Sequence, residues 1–201
     1  MKNYEYIIAS LPQINPEQTF TSSLTSSNLL EEIIAQCDES DRKVIDFLLK
    51  GFDGDNLCEE FYREALGHKD KFIRDYFRLD LFMRNEKVRF LNKALERPLE
   101  KDIITAAEED DEANDKKTKL QLIMELDDLL AREVGLDSFV WNEIEEMTMF
   151  EYFSLDAVLA IIVKLKFVDR WYSLDKEKGR EMFRKLVEEI RGTFKGVEYK
   201  S

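Results

Sequence analysis

Leu155 to Val168 leaves a chain like this the fewest choices. Leu155, Val158, Leu159, Ile161, Ile162, Val163, Leu165, Phe167 and Val168 fall on nearly every side of a helix. A helix that is apolar all round must be surrounded by protein or lipid. Lipid is excluded here, because a span needs about 20 apolar residues in a row. The window Leu155–Phe167 is shorter and carries Asp156, Lys164 and Lys166. The expectation is a buried helix. Ser154 is placed to cap it, and Asp156 suits its positive N-terminal end. Ser173 or Asp175 can cap a second helix reaching Gly192, with Met182, Phe183, Leu186, Val187 and Ile190 on one face and charges on the other. The two predict a C-terminal helical hairpin as the centre of the fold.

The rest of the chain reads as helices that cover this centre. Three Pro and seven Gly in 201 residues favour long helices over a turn-rich β fold. Tyr4–Leu11 ends at Pro12 and reads equally as a short extended segment or a short buried helix, because too few residues are available to set a period. The Ser/Thr-rich stretch Asn15–Asn28 reads as a surface loop. Helices are expected over Leu29–Gln36, capped by Ser27 or Asn28, and over Arg42–Lys50, opened by Asp41 and ended by Gly51. Another should start at Asp55 or Asn56 and close at Gly67. Apolar residues at Phe72, Tyr76, Leu79, Met83, Phe90 and Ala94 predict a long helix across Lys69–Glu96, with Asn85 as a point where it can break. Lys116–Val134 should be helical up to Gly135, and Ser138 should cap a helix over Phe139–Met149. The result is an all-α, multi-helical single domain over 1–201. The acidic run Glu108–Glu112 separates halves 1–107 and 116–192, and Thr193–Ser201 reads as a tail.

Charge narrows the partners. The net charge is −13, distributed as −8 over residues 1–68, +4 over 69–97, −13 over 98–163 and +4 over 164–201. Nucleic-acid backbones are bound by exchanging counterions for Lys and Arg, so nucleic acid is not an expected partner. The basic segments can pair within the molecule or face an acidic protein. The start Met1–Tyr6 shows no leader pattern, and a cytoplasmic chain is expected.

Familiar catalytic constellations do not assemble from this sequence. There is no GxxxxGK[ST] and no GxGxxG phosphate cradle. His68 is the single histidine, and neither a GxSxG elbow nor a Glu-x-x-His pair accompanies it. Cys37 and Cys58 form no CxxC, and Asp53-Gly54-Asp55 lacks the later ligands of a calcium loop. Glu143, Glu145, Glu146 and the run at 108–112 read as solvated carboxylates. No cofactor or metal is expected, and the chain reads as a non-enzyme. Aromatic residues gather at Trp141, Phe150, Tyr152, Phe153, Phe167, Trp171 and Tyr172. Most are assigned to the core. Trp141, Arg170, Trp171 and Tyr172 are the candidates for partner contact, since Trp, Tyr and Arg are enriched at interfaces. Arg170 can stack on its neighbour or pair with a helix C-terminus.

Three passages carry a resemblance. They are Tyr4-Glu5-Tyr6-Ile7-Ile8-Ala9-Ser10-Leu11-Pro12, the turn Phe52-Asp53-Gly54-Asp55-Asn56-Leu57, and Phe153-Ser154-Leu155-Asp156-Ala157-Val158-Leu159-Ala160 running into Asp169-Arg170-Trp171. Together they resemble an uncharacterised bacterial family that lies beside the genes of a V-type ATP synthase, where the enzyme's socket subunit would be expected. Phe52-Asp53 with Asn56-Leu57 is similar to the aromatic-Asp…Asn-Leu pattern of that socket. Phe77, Asp80 and Asn85 echo it with a spacing two residues off. The socket, lettered C in bacterial and archaeal enzymes and d in eukaryotic ones, is a longer, non-catalytic helical protein between the rotor shaft and the membrane ring. The resemblance implies an accessory or central-stalk component whose partners are other proteins of the V-type ATP synthase. It would reach the membrane only through them. The other function in view is a helical adaptor or regulator unrelated to the ATPase.

Overall fold

The structure is a computed structural model that describes residues 4–12, 14, 26–106, 114–173 and 184. It is an all-α bundle: α1 (Tyr4–Ser10), α2 (Ser26–Gln36), α3 (Glu39–Lys50), α4 (Glu59–Leu66), α5 (Lys71–Ala94), α6 (Asn114–Met124), α7 (Leu129–Met147) and α8 (Leu155–Ser173), with a 3-10 turn at Gly54–Asn56. No strand occurs among the described residues. The acidic run, the tail and most of the Ser/Thr-rich stretch lie outside them. Of the second hairpin arm only Arg184 is described.

The all-round apolar pattern of α8 has the consequence it demands. Val158, Leu159, Ile162 and Val163 are fully buried, with Leu165 and Val168 close to it. Each such side chain contributes about 1.5–3 kcal/mol of transfer free energy. α8 runs through the molecule and packs against α1, α2, α3, α5 and α7. Helices from both halves of the sequence thus close on one strut.

The N-terminal extended segment is not formed; Tyr4–Ser10 is helical. The deciding contacts are tertiary. Tyr4, Ile7, Ile8 and Leu11 follow steps of three and one and face the core, with Ile7 1% exposed, whereas Tyr6, on the opposite side, is 62% exposed. A strand would have put Tyr4 and Tyr6 on the same face. The Tyr4 hydroxyl donates to Asp41 Oδ2 at 2.7 Å, tying α1 to α3. Asp41 is therefore a buried acceptor inside α3, and the cap is Asp38, whose carboxylate accepts from the Asp41 N–H at 2.9 Å. α2 likewise begins earlier than expected, at Ser26.

Two glycines do different work from the helix-ending role their type suggests. Gly51 ends α3, but its φ of −72° is open to any residue. A Cβ there would lie 2.2 Å from Phe77 Cε1, in a cluster where Phe47, Phe61 and Phe77 meet, with Phe77 edge-on to the other two. Gly135 does not terminate a helix at all. It lies inside α7, where a Cβ would come 2.8 Å from Ile123 Cγ2, so it lets α6 and α7 approach. The break falls instead near Asp127, and Asp128 caps α7 by accepting from Leu130 N–H at 2.9 Å. In the same way, the helix after the Gly54 turn starts at Glu59 with Cys58 before it.

α5 continues without a break, about 36 Å long at 1.5 Å per residue. Asn85 does not interrupt it. Its side chain exchanges two hydrogen bonds with the Ile104 backbone, at 3.0 and 3.1 Å, and pins the following segment back along the helix. His68 is also structural: Nδ1 accepts from Asp70 N–H at 3.1 Å and the ring stacks on Phe47.

Candidate functional site

α5, α7 and α8 leave a groove of about 720 Å³ between them, closed at one end by the turn after α3. Helical spacing fills it with charge. Tyr76, Asp80, Arg84 and Lys87 form one stripe of α5, Glu133 and Asp137 one stripe of α7, and Lys166, Asp169, Arg170 and Ser173 one edge of α8. The four acids and four bases are interleaved.

Most of these charges are fixed by specific partners. Asp80 accepts from the buried Tyr62 hydroxyl at 2.5 Å and from Arg84 Nε at 2.7 Å. Burial, and then the charge of Asp80, pushes the Tyr62 hydroxyl far above the usual phenol range. Tyr76 is pushed the same way for the same reasons. Across the groove, Asp137 accepts from Arg170 Nη2 and from Trp171 Nε1. Glu133 lies 3.9 Å from Arg170. The guanidinium carbon stands 5.6 Å from the Trp171 ring centroid. Arg170 thus stacks on its neighbour and pairs with a side-chain carboxylate rather than with a helix end.

Lys87 is different. It makes no hydrogen bond or ion pair with the described residues, and burial lowers its pKa against the opposing pull of Glu133 and Asp80. Burial also raises the Asp169 carboxyl, with Lys166 acting against it. Among the described residues, the groove therefore holds braced charges around an unpaired amine. Such a surface can take up a polypeptide bearing both signs. Among the described residues, no group of three or more His, Cys, Asp or Glu is placed to hold a metal.

The sequence-derived contact candidates separate in space. Arg170 and Trp171 meet at Asp137 in the groove. Trp141 is 8% exposed on another side of α7, donates to Glu145 at 2.8 Å and lies under Lys164, whose Nζ is 4.8 Å from its ring. It has little surface to offer. The Tyr172 backbone belongs to α8; its side chain lies outside the described residues. Asp137, Glu133 and Lys87 were not singled out by the sequence. The available signal was the Glu133/Asp137 pair, four residues apart like Lys166/Arg170. Phe150, Tyr152 and Phe153, grouped with the core aromatics, are 82%, 69% and 56% exposed.

A family described as "Protein of unknown function (DUF2764)" matches residues 53–193. The chain belongs to this family. Neither a curated protein nor a solved structure matches it. The matched region contains α4 to α8 and every charged groove residue named here. α1, α2 and α3 precede it, yet they pack on α8, so the core is completed from outside the family region.

Proposed function

We propose that this DUF2764 protein is a non-catalytic accessory or central-stalk component of a V-type ATP synthase, standing where the socket stands and joining the rotor shaft to the membrane ring. The observation that carries the proposal is convergence. Two of the passages that resemble the ATPase-linked family meet in one groove: the Phe52–Leu57 turn at its end and Asp169-Arg170 along its edge, with Asp80 of the second aromatic-Asp echo between them. The body around the groove suits a mechanical part. Torque must pass through packed helices, and close-packed interiors transmit strain. α8 supplies such an interior, and the Asp80 and Asp137 centres brace α4 to α5 and α7 to α8. No helix among the described residues is long and apolar enough to cross a membrane, so a place at its cytoplasmic face would come through partners.

The test is a pull-down of the tagged intact chain from native membranes. Recovery of V-type stalk or ring proteins in fixed proportion supports the proposal. Recovery of cytoplasmic proteins alone replaces it with the adaptor reading.

A further inference from the structure

Away from the groove, α7 and α8 are joined by a short turn that presents four large apolar side chains to solvent. Met149 is 56% exposed, Phe150 82%, Tyr152 69% and Phe153 56%. Isolated exposed apolar residues are ordinary, but four within five positions mark a contact surface. The turn is held rather than slack. Thr148 Oγ1 donates to Ile144 O at 2.8 Å, Glu151 N–H to Thr148 O at 3.0 Å, and Ser154 Oγ accepts from Ala157 N–H at 3.3 Å. Beneath it, Glu145 accepts from Trp141 Nε1 and pairs with Lys164 at 3.0 Å, locking the end of α7 to α8. Aromatic anchors held in place lose little conformational freedom on binding, which is the property of hot-spot residues.

The surroundings set the partner's chemistry. Glu146 and Glu151 are exposed on either side of the aromatic residues. Met149 shares a shallow depression of about 330 Å³ with Glu145, Glu146 and Lys119. Asp156 follows at the start of α8, close to Asp70, Asp75 and Lys71. Acids outnumber bases around the tip. An anionic lipid surface would be repelled by that rim. A second copy placed symmetrically would set glutamates against glutamates.

We infer that the Met149–Phe153 tip docks a basic amphipathic helix of a partner protein, with the partner's apolar stripe on Phe150, Tyr152 and Phe153 and its Lys or Arg flanks on Glu146 and Glu151. The inference stands on this surface alone and does not require the ATP synthase reading.

The experiment uses the intact chain and fluorescein-labelled helical peptides of about 20 residues carrying a Leu/Ile stripe, long enough for an amphipathic helix to lay its face on the tip. One peptide is flanked by Lys and Arg and the other by Glu; binding is followed by anisotropy. The basic peptide should bind at least about tenfold more tightly than the acidic one and weaken with added salt. A Phe150→Ser/Tyr152→Ser variant should lose at least about tenfold while melting at the wild-type temperature. A Glu146→Lys/Glu151→Lys variant should reverse the preference between the two peptides. The inference is overturned if the basic peptide does not bind, if both peptides bind alike, or if either variant leaves binding unchanged. It is also overturned if the tip instead drives binding to phosphatidylglycerol vesicles, or self-association that the Ser substitutions abolish.

Discussion

Replacing Arg170 by Glu places a second carboxylate beside Asp137 and within reach of Glu133. Arg170 is 47% exposed and the Asp137 side chain 16%, so solvent screens the pair from one side. Loss of the guanidinium alone, as in Arg170→Ala, should cost about 0.5–1 kcal/mol. The added like charge brings Arg170→Glu to about 2 kcal/mol. Asp137→Ala should cost about 2 kcal/mol as well, since it leaves both Arg170 and the Trp171 indole without their acceptor. Because the two residues share one contact, the Arg170→Ala/Asp137→Ala pair should be less destabilised than the sum of the single changes, by about 1 kcal/mol. Urea unfolding monitored by circular dichroism reads all four variants. Arg170→Glu within about 0.5 kcal/mol of wild type, or additive single changes, would refute the brace. The brace also governs how interface tests are read, since a binding defect in Arg170→Glu mixes lost contact with lost stability. Lys87 is the cleaner probe. It has no hydrogen-bond or ion-pair partner among the described residues, so Lys87→Ala should leave the unfolding midpoint unchanged while weakening a complex that uses the groove.

Three further outcomes follow from packing and charge. Gly51→Ala should destabilise by about 1–3 kcal/mol in urea unfolding, because its Cβ would meet the fully buried Phe77 ring at 2.2 Å. Gly135→Ala should stay within about 1 kcal/mol of wild type, since Ile123 can yield and Ala favours helix; equal effects at the two sites would contradict this account of the glycines. Asp156 has its pKa raised to about 6 by burial and then by Asp70, Glu151 and Asp75. Between its ordinary value and about pH 6 the folded state holds the extra proton, so stability is lost as pH rises through that window. Asp156→Asn should therefore gain about 1 kcal/mol over wild type between about pH 4 and pH 7, after discounting for solvent screening. A difference that does not grow with pH contradicts it. Ile162→Ala, at a fully buried position of α8, should cost about 2–5 kcal/mol, and a cost near zero would remove α8 from the core.

The fold was legible where one physical demand dominated a segment. An apolar pattern on all sides of Leu155–Val168 permits only a buried helix, and the apolar spacing of α5 permits little else. It was illegible where the deciding contact is distant in sequence. Tyr4–Leu11 is settled by Asp41 and α8. Gly51 and Gly135 look like helix terminators because glycine can end a helix, whereas here each makes room for a side chain of another helix, and only the packed structure shows which. The groove has the same character. Arg170 and Trp171 stand out by residue type, but Asp137, Glu133 and Lys87 gain meaning only when three helices converge. The exposed Phe150, Tyr152 and Phe153 show the converse, since aromatic character favours burial without ensuring it.

The central claim is mechanical coupling, and ion pumping tests it most directly. Inverted membrane vesicles from cells lacking this chain should hydrolyse ATP through the V-type enzyme yet fail to build an ion gradient. Adding the purified intact chain should restore the gradient, and the Lys87→Ala form should restore it less well. A full gradient in vesicles without the chain would contradict the account.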